Sequence, residues 1–222
     1  MNLPDGLFSL AWTASAFGLL ALLWIWCFRT GDFRELARAE KANVWMGSIV
    51  AITLLWSMKA GIRPGLNLHL LGATALTLMF GAQRAIVALS LAMAAVTLNG
   101  GAAWAPYALN VLLMAALPCL LSQPVLRLTE RYLPGHLFVY IFSGAFFGAA
   151  WALVTTALAA AFLLWLADVY PAESLQEDFL PPFLLLSFAE AWLNGAAITL
   201  MVVYKPHWVC SFNDQRYLGR NH

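Results

Sequence analysis

Charge is scarce in this chain. Asp, Glu, Lys and Arg make up 10% of its 222 residues, and the formal net charge is +1. Ordinary globular domains carry about 25% charged residues. A net charge so near zero argues against a nucleic-acid partner, which calls for a basic patch. Cysteine is sparse as well, at three residues (Cys27, Cys119 and Cys210). No Walker A loop, HExxH or Gly-x-Ser-x-Gly is present, so the chain cannot hydrolyse ATP by itself and carries no recognised hydrolase constellation. There is no low-complexity tract and no clear internal repeat. No lysine or arginine precedes the first apolar run, and the opening "MNLPDGLFSL" holds Asp5 instead. A secretory signal needs a basic start, a short apolar core and a small-residue cleavage site. The opening therefore reads as an uncleaved first span.

Apolar side chains are abundant, at 62% hydrophobic and 14% aromatic. Stretches of about 20 apolar residues recur along the whole length, each long enough to cross a bilayer as a helix. The expectation is an all-α polytopic membrane protein, one domain over residues 1–222, with about seven transmembrane helices. The spans fall near Leu7–Phe28, Asn43–Met58, Asn67–Gly81, Ala82–Leu98, Trp104–Leu121, His136–Ala167 and Phe179–Tyr204. A sharp turn separates the third and fourth. The sixth is too long for one upright span, so it is tilted, kinked or broken near Gly144–Gly148. Parsing the third and fourth or the sixth differently would give six or eight. With the N-terminus outside, the inner segments carry Arg29, Arg34, Arg38, Lys41, Arg84, Arg127, Arg131, Lys205, Arg216 and Arg220. Only Lys59 and Arg63 fall outside. The loop Asp168–Asp178, with "PAESLQED", is then an acidic outer loop, and residues 205–222 form a cytoplasmic tail. The cysteines lie at cytoplasmic ends and stay reduced, so no disulfide is expected.

Residues 1–6 form a short arm. Asn2 is too large for efficient removal of the initiator methionine, so Met1 keeps a free α-amine. Pro4, Asp5 and Gly6 give the arm a bend. Either Asp5 caps the first span or the arm folds back into the bundle. His69 lies within about one turn of the outer end of the third span. It is an interfacial residue or a metal ligand, since imidazole suits Zn, Cu, Ni and Co. Asn110 lies roughly 9 Å into the fifth span at 1.5 Å per residue. Glu190 lies near the bilayer centre, where a carboxylate must face the bundle or be protonated. Asn194 follows one turn later on the same face. This pair reads as a hydrogen-bonded link between helices or as part of a polar path. Met1, Asn2, His69 and Asn110 can all converge in the outer half of the bundle. His136, His207 and His222 read as solvated or interfacial. An intramembrane enzyme would need a second catalytic group beside Glu190.

The segments "MNLPDGLFS", "PGLNLHLLGATALTLMFG", "APYALNVLLMAALP" and "EAWLNGAAITLMVVYKPHWVCSFNDQRYL" resemble, in this order, the CbiM/NikM-like permeases. These are substrate-binding membrane components of energy-coupling factor transporters for cobalt and nickel. The resemblance covers nearly the whole chain. It is most specific in the first six residues and in "HLLGA", and it is nearest to a branch of predicted membrane proteins with Asn at position 2. It implies an N-terminus tucked into the bundle and a divalent transition metal (Ni or Co, then Cu) as transported substrate. By motif, Met1 supplies the amine, Asn2 the backbone amide and His69 an imidazole. Asn67, Asn110, Glu190 and Asn194 support them. Amine, amide and imidazole suit a square-planar Ni(II) or Cu(II). The family's residue-2 histidine is Asn2 here, so one ligand of that plane differs. The implied partners are a transmembrane coupling subunit and cytoplasmic ATPases, in a bacterial cytoplasmic (inner) membrane. The alternative is a non-transporting membrane subunit or assembly factor that reuses the fold, which the loss of that histidine favours.

Overall fold

The structure, a computed structural model, describes residues 3–58, 60–63 and 66–219. Helix α1 runs Leu10–Thr30, and a 3₁₀ turn at Phe33–Ala37 leads into α2, Ala39–Ser57. Strands β1 (Ala60–Arg63) and β2 (Leu66–Leu68) pair antiparallel as a hairpin. Then come α3 (Ala73–Phe80), α4 (Ala82–Leu98), α5 (Tyr107–Tyr132), α6 (Leu137–Leu166), α7 (Ala172–Tyr204) and a short α8 (Asp214–Leu218). Four of these, α1, α5, α6 and α7, are long and apolar enough to cross a bilayer, and α4 is a shorter apolar helix. The molecule is an all-α membrane bundle apart from the hairpin.

Two segments differ from the sequence expectation, and a third narrows it. The third apolar stretch, Asn67–Gly81, is helical only over the eight residues of α3. Asn67 and Leu68 belong instead to β2. The outer loop expected at Pro171–Asp178 is largely helical, since α7 already begins at Ala172 and continues through a π segment at Leu175–Phe179. The long sixth stretch is neither broken nor interrupted. It is one helix, α6, with a π segment at Tyr140–Phe147 that spans Gly144. Wide turns of this kind absorb a local mismatch without ending a helix. A similar π segment, Leu112–Ala116, lies in α5 just before Pro118. Pro118 has no N–H to give to the carbonyl one turn back, and its ring crowds that carbonyl, so the helix widens there.

All eight residues of α3 are buried, and α4 is buried along most of its length. The longer helices surround this pair and turn large apolar side chains outward, among them Leu22, Leu54, Phe147, Phe162 and Leu185. That outward face is what hydrocarbon covers, because lipid tails are as apolar as these side chains. The core is therefore a short broken helix, α3, joined head to tail with α4 through Gly81. Gly81 has φ +80° and ψ 158°, a conformation essentially restricted to glycine.

One end of the bundle carries the arm, and the opposite end carries the tail after Tyr204. At the tail end Arg84 ties the α1–α2 connection to the core. Its Nη1 donates to Glu35 Oε2 at 2.5 Å and to Asp32 O at 3.2 Å, and its Nε donates to Phe80 O. Lys41 Nζ adds an ion pair to the same Glu35 oxygen at 3.2 Å. The Arg84 hydrogen bond is the main cause that holds the Glu35 carboxyl below its usual 4.5, with Lys41 assisting against a smaller effect of burial.

Two outcomes are expected. Gly81→Ala meets no atom closer than 3.9 Å, so its cost is conformational. It should lower unfolding stability by about 1–3 kcal/mol, read as a lower Tm in detergent. A depressed carboxyl stabilises the fold above its ordinary value of 4.5 and stops doing so as pH falls through the lower folded value. Glu35→Gln should therefore flatten the acid side of the Tm–pH curve and lower Tm at neutral pH.

Candidate functional site

The arm folds back into the bundle. Leu3 is 1% exposed. Its N–H donates to Asn110 Oδ1 at 2.8 Å, and Asn110 Nδ2 donates to Leu3 O at 3.3 Å. One asparagine amide, itself buried, thus satisfies both backbone groups of Leu3, as a neighbouring strand would. This is how extended backbone survives in an apolar interior. Asp5 does not cap α1. Its side chain accepts from Gly6 N at 3.0 Å, Gly6 has φ +80°, and Ser9 takes the position before the helix. Pro-Asp-Gly is therefore the bend that returns the arm to the bundle. Met1 and Asn2 lie outside the described residues.

His69 sits between β2 and α3 and is 3% exposed. Its Nδ1 lies 3.1 Å from Leu70 O. A neutral ring that donates from Nδ1 carries its lone pair on Nε2. The Trp56 ring packs against it at 5.7 Å between centroids, and Trp56 Nε1 donates to Leu71 O at 3.2 Å. Trp56 thus fixes both the imidazole and the backbone that follows it.

Glu190 and Asn194 of α7 hold the next residues. Glu190 Oε2 accepts from Leu71 N, and Oε1 accepts from Gly72 N, each at 2.7 Å. Asn194 Nδ2 donates to Glu190 Oε1 at 2.9 Å, while Asn194 Oδ1 accepts from Ala75 N at 2.8 Å. The first turn of a helix has N–H groups without partners inside the helix, and Gly72, at the cap position before α3, has no side chain to meet them. Two side chains of another helix provide that cap. The carboxylate also meets the positive end of the α3 dipole. Gly72 has φ +67°, and a Cβ there would meet Ile52 Cδ1 at 2.5 Å. The left-handed backbone favours glycine here, and any added side chain would also have to push the Ile52 tip aside.

Of the residues named from sequence, Glu190 and Asn194 meet at the entry to α3, and the Leu71 N–H that Glu190 holds is two residues after His69. Asn110 meets the arm instead. Asn67 pairs with Gly61 across the hairpin. Among the described residues, no three His, Cys, Asp or Glu side chains are grouped to hold a metal ion. His136 accepts from Phe138 N and caps α6, and His207 pairs with Glu40 at 2.8 Å. His222 lies outside the described residues. Trp56 was not singled out from sequence. Its signal was modest: a tryptophan near the end of α2, a short hairpin away from His69.

Asn110→Leu should release the arm, at about 1–3 kcal/mol for two buried groups left without partners. The check is deuterium exchange at the Leu3 amide, which should accelerate while α6 amides do not. Glu190→Gln replaces an accepting oxygen by a donor facing N–H groups. It should lower stability by a similar amount, read as Tm in detergent.

Comparison with known proteins bears on this arrangement. Residues 2–208 match the family model described as CbiM, the cobalt uptake substrate-specific transmembrane region. A crystal structure of a truncated transition metal transporter superposes with a TM-score of 0.80 at 18% identity, covering 92% of this chain and 99% of that one. A second crystal structure of a transition metal transporter gives 0.78 at 18% identity, covering 93% and 96%. These two share the fold. No curated protein matches the chain. A buried arm, a clamped His-Leu-Leu-Gly segment and a family match over nearly the whole length agree, and the chain belongs to the CbiM family of metal-uptake membrane components.

Proposed function

We propose that this transport protein captures a divalent transition-metal ion at the arm end of the bundle, and that this end faces outside. The chain is a membrane transport component and not an enzyme. The observation that carries the capture reading is the pinning of buried Leu3 on Asn110. A residue so held, next in the chain to Asn2, limits how far the Met1 amine can stray. In this reading Met1 and Asn2 supply the amine and the backbone amide, and His69 supplies an imidazole nitrogen. Cobalt and nickel come first because the family match is to a cobalt-uptake region, and copper comes next because nitrogen donors of this kind suit it as well. The metal is cargo, so the site needs to bind it and later let it go.

Glu190 and Asn194 serve this site by holding α3 and, through Leu71, the backbone after His69. Asn110 serves it by holding the arm, and Asn67 by its place in β2. The basic residues gathered at the tail end support a cytoplasmic assignment for that end. There the chain would meet a transmembrane coupling subunit and ATPases, because its sequence holds no Walker A loop. The membrane would be the bacterial cytoplasmic one.

The test is metal content of the purified chain after it is offered Ni, Co, Cu and Zn, measured beside His69→Ala and a variant with one residue added before Met1. Near-stoichiometric metal, lost in both variants, is expected. Metal at background in all three, with equal Tm, would overturn the capture reading. Asn2 in the place of histidine would then favour a non-transporting subunit, to be sought by its co-purifying membrane partner.

A further inference from the structure

The family match stops at residue 208. The chain that follows crosses the tail end of the bundle and closes on α3. Cys210 N donates to Met79 O at 3.1 Å, and Ser211 N donates to Leu78 O at 3.2 Å. Ser211 Oγ gives Leu78 O a second bond at 2.8 Å and lies 2.7 Å from Tyr140 Oη on α6. Phe212 and Tyr217 pack on the Tyr140 ring at 5.3 and 4.7 Å and stack on each other at 5.4 Å. Tyr217 Oη donates to Glu130 Oε1 at 3.3 Å, and Arg216 donates to Glu130 O, at the end of α5. A Cβ at Gly135 would meet Arg216 O at 2.7 Å, so the crossing is close. Residues 209–217 thus form a strap anchored on α5 and α6 that holds the last turn of α3.

The last carbonyls of a helix need partners from elsewhere. In α3, Gly81 N serves Thr77 O at 2.8 Å and Arg84 serves Phe80 O. The strap serves Leu78 O and Met79 O. The other end of α3 is held by Glu190 and Asn194, as described above. Eight residues make about 12 Å of helix. A rigid rod this short, gripped at both ends by groups outside it, moves as one body.

We propose that the strap and the His69 segment are coupled through α3: loosening the strap at Ser211 loosens the clamp on Leu71 and Gly72. The strap is therefore a device by which an event at the tail end reaches the arm end. Coupling of this kind is reciprocal. Loosening the Glu190 clamp accordingly loosens the strap.

The test is residue-resolved deuterium exchange of the full chain in nanodiscs, with no metal added, so its result does not depend on whether the chain binds metal. The variants are Ser211→Ala, Tyr140→Phe, Glu190→Gln and a chain ending at Trp208. In Ser211→Ala, exchange of the Leu71, Gly72 and Ala75 amides should accelerate about tenfold, while amides at Ala152–Ala157 in α6 keep their rates. In Glu190→Gln, the Cys210 and Ser211 amides should accelerate in turn. Faster exchange at Cys210 and Ser211 in Ser211→Ala, with Leu71, Gly72 and Ala75 unchanged, would overturn the coupling. So would an equal acceleration everywhere, which marks general loosening. If the shortened chain fails to fold, the two point variants at Ser211 and Tyr140 decide.

Discussion

A helix that ends inside a packed apolar bundle must find partners for its terminal backbone groups, and the architecture of this protein follows from that demand. A buried backbone group left unmet costs free energy comparable to a lost hydrogen bond. The eight residues of α3 end twice within the bundle. Glu190 and Asn194 answer the first end. Arg84 and the strap answer the second. Side chains that look out of place in so apolar a chain are thereby explained together. A carboxylate near the middle of α7 is there because N–H groups point at it, and an arginine at the start of α4 is there because carbonyls do.

The same economy governs the arm. Extended backbone is as demanding as a broken helix when it is buried. A side-chain amide offers one donor and one acceptor, the complement of a single backbone residue. Asn110 uses both on Leu3. Specificity of position comes with the bonds, because a shift of the arm by one residue reverses the direction in which its N–H and C=O point. A site built on such an arm inherits its register from an asparagine that need never touch the ligand.

The sequence made the class plain, because long apolar runs admit few structures. It also offered Glu190 and Asn194 as a hydrogen-bonded link between helices, since their spacing places them on one helix face. The shortness of α3 was hidden. "LNLHLLGATALTLMFG" is apolar throughout, and hydropathy cannot tell buried extended chain from buried helix. The two glycines with positive φ, Gly72 and Gly81, were its real boundaries, and glycine in membrane helices is too common to read as a stop. The acidic stretch after Asp168 misled for the opposite reason: polar residues looked like a loop although they form the first turns of α7. Partners such as Leu71 for Glu190 or Leu78 for Ser211 were beyond reach, because nothing local links residues more than a hundred positions apart.

That separation has a consequence for synthesis. The chain leaves the ribosome from its N-terminus, so the segment that becomes α3 reaches the membrane long before the groups that complete it. Its first N–H groups wait for Glu190, 119 positions later, and its last carbonyls wait for Ser211, 133 positions after Leu78. Until then α3 has no satisfied resting place in lipid. The long helices can be threaded into the bilayer one after another as they emerge. The central helix, early in the sequence, has to be the last to settle, and the C-terminal residues are the ones that close the structure.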